Sequence, residues 1–288
     1  MQKSNPKRKL FVAQSQSRPG LEFKMKPEPE YDNSTPGSNK LINKKCIITG
    51  GDSGIGRAVA IAFAKEGADV AIIYLNEDKD AQQTASIINE RYSRECLLIP
   101  ANIEKESQCN AAVKKILKKF VHIDVLVNNA AVHYPCESIL EITSKQLTKT
   151  FAVNIFSMFW ITKAVLPNMK EGSCIINSSS VTAYRGSASL LDYSSTKGAI
   201  VSFTRSLAAN LASKKIRVNG VAPGPIWTPL VPSSFSMEKV TTYGSETPLK
   251  RPGQPAEVAP SYVFLASNDA SYITGQFIHP NGGEIING

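Results

Sequence analysis

From about residue 41 onward, short apolar runs alternate with longer stretches of mixed polarity. Lys45-Cys-Ile-Ile-Thr49 reads as a buried strand that stops at glycines. Arg57-Ala-Val-Ala-Ile-Ala-Phe-Ala-Lys-Glu66 has helical composition and stops at Gly67. Asp69-Val-Ala-Ile-Ile-Tyr74 is the next strand. A polar helix over about 78–92 leads to a strand at Cys96–Ile99, and a helix over about 105–120 leads to one at Ile123–Val127. Further strands are expected near Cys174–Asn177, Arg217–Val221 and Gln276–His279, with a helix from about Asp192 to Leu211. Strands alternating with helices of this length predict a parallel sheet with right-handed crossovers and helices on both faces. The fold class is therefore α/β, a doubly wound parallel sheet of about seven strands in a single domain over 41–288. There is no internal repeat beyond this alternation.

Residues 1–40 break the pattern. Pro6, Pro19, Pro27, Pro29 and Pro36 interrupt any periodicity, and Gly20 and Gly37 add turns. This stretch reads as an extended, Pro-rich arm without a fold of its own. Its few apolar residues (Leu10, Phe11, Val12, Leu21, Phe23, Met25) suit it to lie along the main domain.

The net charge of +9 is unevenly placed. Residues 1–45 hold ten Lys/Arg and four Asp/Glu, a balance of +6 that leaves +3 for the remainder. A basic tail can bind nucleic acid. This one is short, rich in Pro, Ser and Asn, and mixed in charge, so a solvated arm and no nucleic-acid partner are expected. The five cysteines (Cys46, Cys96, Cys109, Cys136, Cys174) are scattered and odd in number, which argues against a disulfide framework or a metal site. Cys136 follows His133-Tyr134-Pro135, where it could line a pocket or simply pack. No uninterrupted apolar run is long enough for a bilayer, and no apolar signal core opens the chain. No membrane partner is expected, and the expected compartment is cytoplasmic.

Two elements carry chemistry. The turn Thr49-Gly50-Gly51-Asp52-Ser53-Gly54-Ile55-Gly56 follows a strand and opens a helix, an arrangement that can cradle a pyrophosphate. Taken alone, the same glycines also suit a tight strand–helix connection. The second element is Ser180, Tyr193 and Lys197. Tyr193 and Lys197 are four apart, so a helix puts both on one face. A phenol of ordinary pKa is a poor base, and a neighbouring ammonium favours the phenolate. Tyr193 could then serve as acid in carbonyl reduction and as base in alcohol oxidation. Ser180 would hydrogen-bond the substrate oxygen. Alone, a Ser-rich strand end reads equally as a loop or cap.

Four motifs occur in order: Thr49-Gly-x-x-x-Gly-x-Gly, Asn128-Asn129-Ala130, Ser180/Tyr193/Lys197 and Pro223-Gly224. Together they resemble the short-chain dehydrogenase/reductase family, over roughly residues 41–288. Within it, Leu191-Asp192-Tyr193-Ser194 and Gly224-Pro225-Ile226-Trp227-Thr228-Pro229 look most like bacterial general-stress oxidoreductases with a proline-rich N-terminal extension.

The resemblance implies a Rossmann-type homotetramer exchanging a hydride between NAD or NADP and a small carbonyl or alcohol substrate. It implies catalytic roles for Asn154, Ser180, Tyr193 and Lys197. The family spacing, thirteen residues before the tyrosine, selects Ser180 over Ser178 and Ser179. Asn154 would hold a water that relays protons to the lysine, although an Asn in so apolar a helix could equally be a core amide bonded to backbone. Lys197 would also hold the ribose. The cofactor would meet Gly50, Asp52, Ser53, Gly54, Ile55, Gly56, Tyr74, Asn102, Asn128, Ala130, Tyr193, Lys197, Pro223, Gly224, Ile226 and Thr228, the last two at the nicotinamide carboxamide.

Tyr74-Leu75-Asn76-Glu77 offers neither the usual acid for NAD nor an arginine for NADP directly after the strand, and no Lys or Arg precedes Gly54 in the turn. The lean is towards NAD for want of a phosphate partner. Glu77 reads more as a solvated helix start than as a ribose ligand. Asn102 stands where the family has an Asp beside the adenine. His133, Tyr134, Trp227 and Leu230 are pocket-wall candidates. Pro229 to about Pro252 reads as a long irregular loop, either a lid or a mobile surface segment. The rival from another class is a dinucleotide-binding sensor or scaffold without turnover, for which the Tyr–Lys pair would be superfluous.

Overall fold

The computed structural model describes residues 7–286. The strands are β1 (Lys45–Thr49), β2 (Asp69–Tyr74), β3 (Cys96–Pro100), β4 (Val125–Asn128), β5 (Cys174–Ser178), β6 (Arg217–Val221) and β7 (Phe277–Ile278). They form one seven-stranded sheet in the order β3-β2-β1-β4-β5-β6-β7, and every adjacent pair is parallel. The helices are α1 (Gly54–Lys65), α2 (Asp78–Ser86), α3 (Glu106–Leu117), α4 (Ser144–Phe151), α5 (Ser157–Val165), α6 (Thr182–Arg185), α7 (Leu191–Leu211), α8 (Met237–Thr241) and α9 (Pro255–Ala266). The doubly wound sheet expected from the hydrophobic pattern is present.

The strands read as continuous apolar runs because both faces of the sheet are covered. Alternate residues serve different layers. Cys46, Ile48, Val70, Ile72, Val125 and Val127 pack towards α1 and α9. Ile47, Ala71, Ile73, Leu126 and Ile175 pack towards α3, α5 and α7. Burying each large aliphatic side chain is worth about 1.5–3 kcal/mol, so a slip of one residue in any strand would exchange two filled layers at once. Strand order reverses between β1 and β4. In open α/β sheets the crevice beyond the carboxyl ends at such a point is where ligands sit.

The structure departs from the sequence expectations in three places. The fourth strand begins at Val125 and ends at Asn128, shifted towards the carboxyl side. The segment from Pro229 to Pro252 is not irregular throughout. It contains α8, whose N-cap Ser236 accepts from the Lys239 amide, and it buries Val231 and Val240. It is packed because residues 7–40 supply the other half of its core: Met25 and Phe11 join Trp227, Val231 and Val240 in one cluster. Finally, the helical run Ser144–Asn168 is long and apolar enough, by length and composition, to cross a membrane. No single apolar stretch in the sequence signals this, and 56% of its most apolar window is buried inside the protein.

Residues 7–40 are laid along the domain through specific bonds. The Leu10 and Phe11 amides donate to the Thr241 carbonyl, and the Gln16 amide to that of Pro232. Phe11 stacks on Trp227 with ring centroids 3.8 Å apart and planes 3° from parallel. The Trp227 indole donates to the Pro27 carbonyl at 2.9 Å. Glu22 is fully buried and pairs with Arg57 of α1 at 2.7 Å.

Candidate active site

The turn between β1 and α1 is built for close backbone approach. Gly50 adopts φ +65°, and a Cβ on Gly56 would lie 1.8 Å from the Gly50 carbonyl oxygen. Only a residue without a side chain fits there. The next strand end is tied to the turn. Thr49 Oγ1 accepts from the amides of Asn129 (2.9 Å) and Ala130 (3.0 Å). Asn129 Nδ2 donates to the carbonyls of Thr49 and Gly50 at 3.1 and 3.3 Å. Asn129, the middle residue of the Asn128-Asn129-Ala130 motif, is thus a structural partner of the turn. Asn128 is buried beneath and donates to Asn177 Oδ1 at 2.9 Å, bracing β4 against β5. The Gly54 amide at the start of α1 donates to the Glu22 carboxylate from the N-terminal segment.

At the other end of the crevice, α7 carries Tyr193 and Lys197 one turn apart. Its first turn is pinned by buried Asp192, which accepts from the Tyr193 amide (2.8 Å) and from the Thr150 hydroxyl (2.7 Å). Lys197 Nζ donates to the Ser178 carbonyl at 2.7 Å and stands 5.3 Å from the Tyr193 ring centroid.

Of the three serines ending β5, two are engaged elsewhere. Ser178 Oγ bonds Tyr262 Oη at 2.7 Å, and Ser179 Oγ donates to the Lys197 carbonyl at 2.9 Å. Ser180 Oγ accepts from the Thr182 amide at 3.1 Å, which leaves its proton to give. The nearby Ser180 hydroxyl opposes the rise of the Tyr193 pKa.

Asn154 lies in a π-helical turn, Ala152–Phe156, between α4 and α5. Such turns are enriched at functional sites. Its side-chain oxygen accepts from the Val132 amide at 2.9 Å. Its nitrogen donates to the Val132 carbonyl and to Thr196 Oγ1, both at 3.0 Å. Both side-chain N–H groups are therefore spent on these partners, while the oxygen keeps one lone pair.

Burial dominates the electrostatics. It pushes the Tyr193 phenol up to about 12 and the Lys197 ammonium down to about 7. The expected lowering of the tyrosine by an adjacent ammonium does not carry the balance here, because a low-dielectric pocket penalises both charged forms. His133 is also buried. Its pKa falls to about 3 through burial, helped by the positive charges of Arg18 and Lys197.

A cavity of about 320 Å³ connects the two ends. Gly50, Asp52, Ser53, Gly54, Ile55, Tyr74, Asn102, Ala130, Tyr193, Lys197, Pro223 and Thr228 line it. Gly56, Asn128, Asn154, Ser180, Gly224 and Ile226 do not. Gly56 and Asn128 shape the floor, a Cβ on Gly224 would strike the Asn281 backbone, and the Ile226 side chain belongs to the core.

Of the wall candidates, His133, Tyr134 and Leu230 face the cavity. Trp227 does not. It is fully buried and stacked on Phe11, so it fastens the N-terminal segment and forms no part of the cavity wall. Glu77 is likewise corrected: it is buried in the cavity wall, and not solvated, because the chain turns inward as it enters α2. Arg18, Pro19 and Gly20 also line the cavity. The only sequence signal for them was the apolar content of the arm, which says that it docks but not where.

The glycine end is rich in carboxylates. Glu22 and Asp80 share the Arg57 guanidinium, at 2.7 and 3.2 Å. Burial lifts Glu22 to about 7, against the pull of Arg57 and the Gly54 amide. Burial and the neighbouring Glu77 lift Asp52 to about 7.

A parallel sheet with a strand–glycine turn–helix at its switch point is matched by known proteins. The enoyl-(acyl carrier protein) reductase family model covers residues 50–284. The chain belongs to the short-chain dehydrogenase/reductase family. It is an oxidoreductase of that family.

Among its short-chain dehydrogenase/reductase relatives is the NADPH-dependent aldehyde reductase 1, chloroplastic, of Arabidopsis thaliana, 54% identical over 94% of this chain and 96% of the relative. General stress protein 39 of Bacillus subtilis is 50% identical over 96% and 98%. The crystal structure of 3-ketoacyl-(acyl-carrier-protein) reductase from Brucella melitensis complexed with NADH superposes with a TM-score of 0.77. It is 33% identical and covers 84% of this chain and 98% of that one. Family members therefore bind both nicotinamide cofactors.

Proposed function

We propose that this protein interconverts an aldehyde or ketone with its alcohol, using NAD(P), with Tyr193 as acid and base. The observation that carries the reading is the pairing of Tyr193 and Lys197 at one end of a cavity whose other end is the glycine turn, with Ser180 close behind Tyr193.

The fit to a dinucleotide rests on that turn. Gly50 at φ +65° and Gly56 packed on the Gly50 carbonyl fold the turn tightly beside the cavity that Ser53, Gly54 and Ile55 line. The Ser53 and Ile55 amides and the start of α1 would take the pyrophosphate. Tyr74 and Asn102 would flank the adenosine, and Thr228 with the main chain at Pro223–Ile226 the nicotinamide. When bound, the nicotinamide gives a hydride to the substrate carbon or takes one from it.

The residues of the chain supply the rest. Ser180 donates to the substrate oxygen and fixes it beside Tyr193. Tyr193 Oη delivers its proton to that oxygen in reduction and removes it in oxidation. Lys197, held by the Ser178 carbonyl, stabilises the phenolate while it lasts and would hold the ribose when the cofactor is bound. A water on the Asn154 main chain would carry the replacement proton to Lys197. The carboxylates of Asp52 and Glu77 support NAD over NADP, since a ribose hydroxyl can donate to them and a 2′-phosphate would be repelled.

We further propose that 41–288 forms the catalytic domain with 1–40 as its arm. A cytoplasmic homotetramer fits five cysteines without a disulfide and the exposed apolar side chains of Leu147, Phe156 and Phe159 along the α4–α5 run.

The test is turnover of a panel of aldehydes, ketones and alcohols, followed by nicotinamide absorbance with both cofactor pairs. Turnover with a higher kcat/KM for NAD(H) is expected. A preference for NADP(H) overturns the cofactor assignment alone, and absence of turnover across the panel overturns the reaction.

A further inference from the structure

We propose that Arg18, from the N-terminal segment, selects a carbonyl substrate bearing an anionic group, a carboxylate or a phosphate. This rests on the carbonyl–alcohol reading above. Arg18 lines the cavity that holds Tyr193, and its guanidinium carbon lies 4.6 Å from the Tyr134 ring centroid. Its charge acts on His133, which meets Tyr193 edge-on with centroids 5.3 Å apart. Arg18 is therefore at the substrate end of the cavity, across from the carboxylates of the glycine turn.

Other cations of that wall are already engaged. Lys149 pairs with Glu104 at 3.3 Å, and Lys197 is held by the Ser178 carbonyl. Arg18 has no acid within salt-bridge distance among the described residues. Its guanidinium is held over an aromatic face with its donors open, an arrangement suited to planar oxyanions.

A second observation points the same way. His133 is 4% exposed, lines the same cavity, and its Nδ1 has no hydrogen-bond partner among the described residues. A buried ring nitrogen left open costs stability unless a ligand meets it. Arg18 offers an anion a charged fork, and the unpartnered His133 ring nitrogen lies behind the same wall. The anionic group would lie on the His133–Tyr134 side, leaving the carbonyl to Ser180 and Tyr193.

Matched pairs test this on the full chain: 4-carboxybenzaldehyde against 4-methylbenzaldehyde, and glyceraldehyde 3-phosphate against glyceraldehyde. In the wild type, at least one charged member is expected to have the higher kcat/KM, and which pair responds separates carboxylate from phosphate. In Arg18→Gln the charged-to-neutral ratio should fall about tenfold, through KM, as expected for loss of one charge-assisted contact. Arg18→Lys should restore part of it.

An unchanged ratio in Arg18→Gln, or no preference for either charged member in the wild type, overturns the inference and leaves the carbonyl reading intact. If no aldehyde is reduced at all, the carbonyl reading fails, and the anion site is judged by thermal shift with 4-(hydroxymethyl)benzoate and inorganic phosphate. A shift present in the wild type and lost in Arg18→Gln upholds the site. Equal shifts, or none, overturn it.

Discussion

Lys197 Nζ stands 5.3 Å from the ring centroid of Tyr193, and its bond goes to the Ser178 carbonyl. The lysine is thus fixed beside the ring, in a pocket that lowers its own pKa to about 7 through burial. Its charge is costly to the fold.

That cost gives a stability prediction. The folded-state pKa lies below the unfolded value, so the unfolded chain holds more protons between about pH 7 and 10.5 and stability rises with pH across that window. Lys197→Met removes the buried charge. It should melt higher than wild type below pH 7, by about 2–4 °C for each kcal/mol recovered, and the advantage should vanish as pH approaches 10.5. Turnover should meanwhile fall about 10²-fold or more. Differential scanning calorimetry at pH 6.5 and 9.5 checks this, and a lower melting temperature at both would contradict it.

Cofactor affinity should weaken as pH rises through 7. Burial raises Asp52 and Glu22 to about 7, so both are largely neutral below it and anionic above it, beside amides that would hold a pyrophosphate. Titration of NADH fluorescence from pH 6 to 8.5 should show the dissociation constant rising severalfold in wild type, with a flatter profile in Asp52→Asn. A wild-type profile as flat as the variant's would remove Asp52 from this role.

Gly56→Ala should abolish cofactor binding. Its new Cβ would sit 1.8 Å from the Gly50 carbonyl oxygen, and that oxygen belongs to a turn tied down by Asn129. The backbone must shift, at a stability cost of about 1–3 kcal/mol for overpacking. Isothermal titration with NADH and a urea melt would separate the two effects, and unchanged affinity would show that the turn does not approach the cofactor closely.

Much of the sheet was legible because its signals are local. Ile47 and Ile48 announce a strand covered on both faces, and Gly50 and Gly56 announce the tight turn at its carboxyl end. The four-residue spacing of Tyr193 and Lys197 needed only a helix to bring them together. The contacts that stayed hidden depend on distant partners. Glu22 meets Gly54, Arg57 and Asp80, which lie 32, 35 and 58 positions away, and nothing in a Pro-rich stretch specifies that contact. Trp227 read as a pocket wall because its neighbours Ile226 and Thr228 flank the cofactor motif, whereas Phe11, over 200 positions earlier, claims its face. Glu77 looked solvated because a helix start usually is, and only the fold shows the chain turning into the cavity.

In the proposed reaction Tyr193 moves the proton. The most direct measurement is nicotinamide absorbance during turnover of the best aldehyde of the panel by wild type and Tyr193→Phe, with circular dichroism and NADH binding confirming that the variant folds and holds cofactor. A fall in kcat of about 10²–10⁴-fold with cofactor affinity kept is expected. Undiminished turnover in Tyr193→Phe would contradict it.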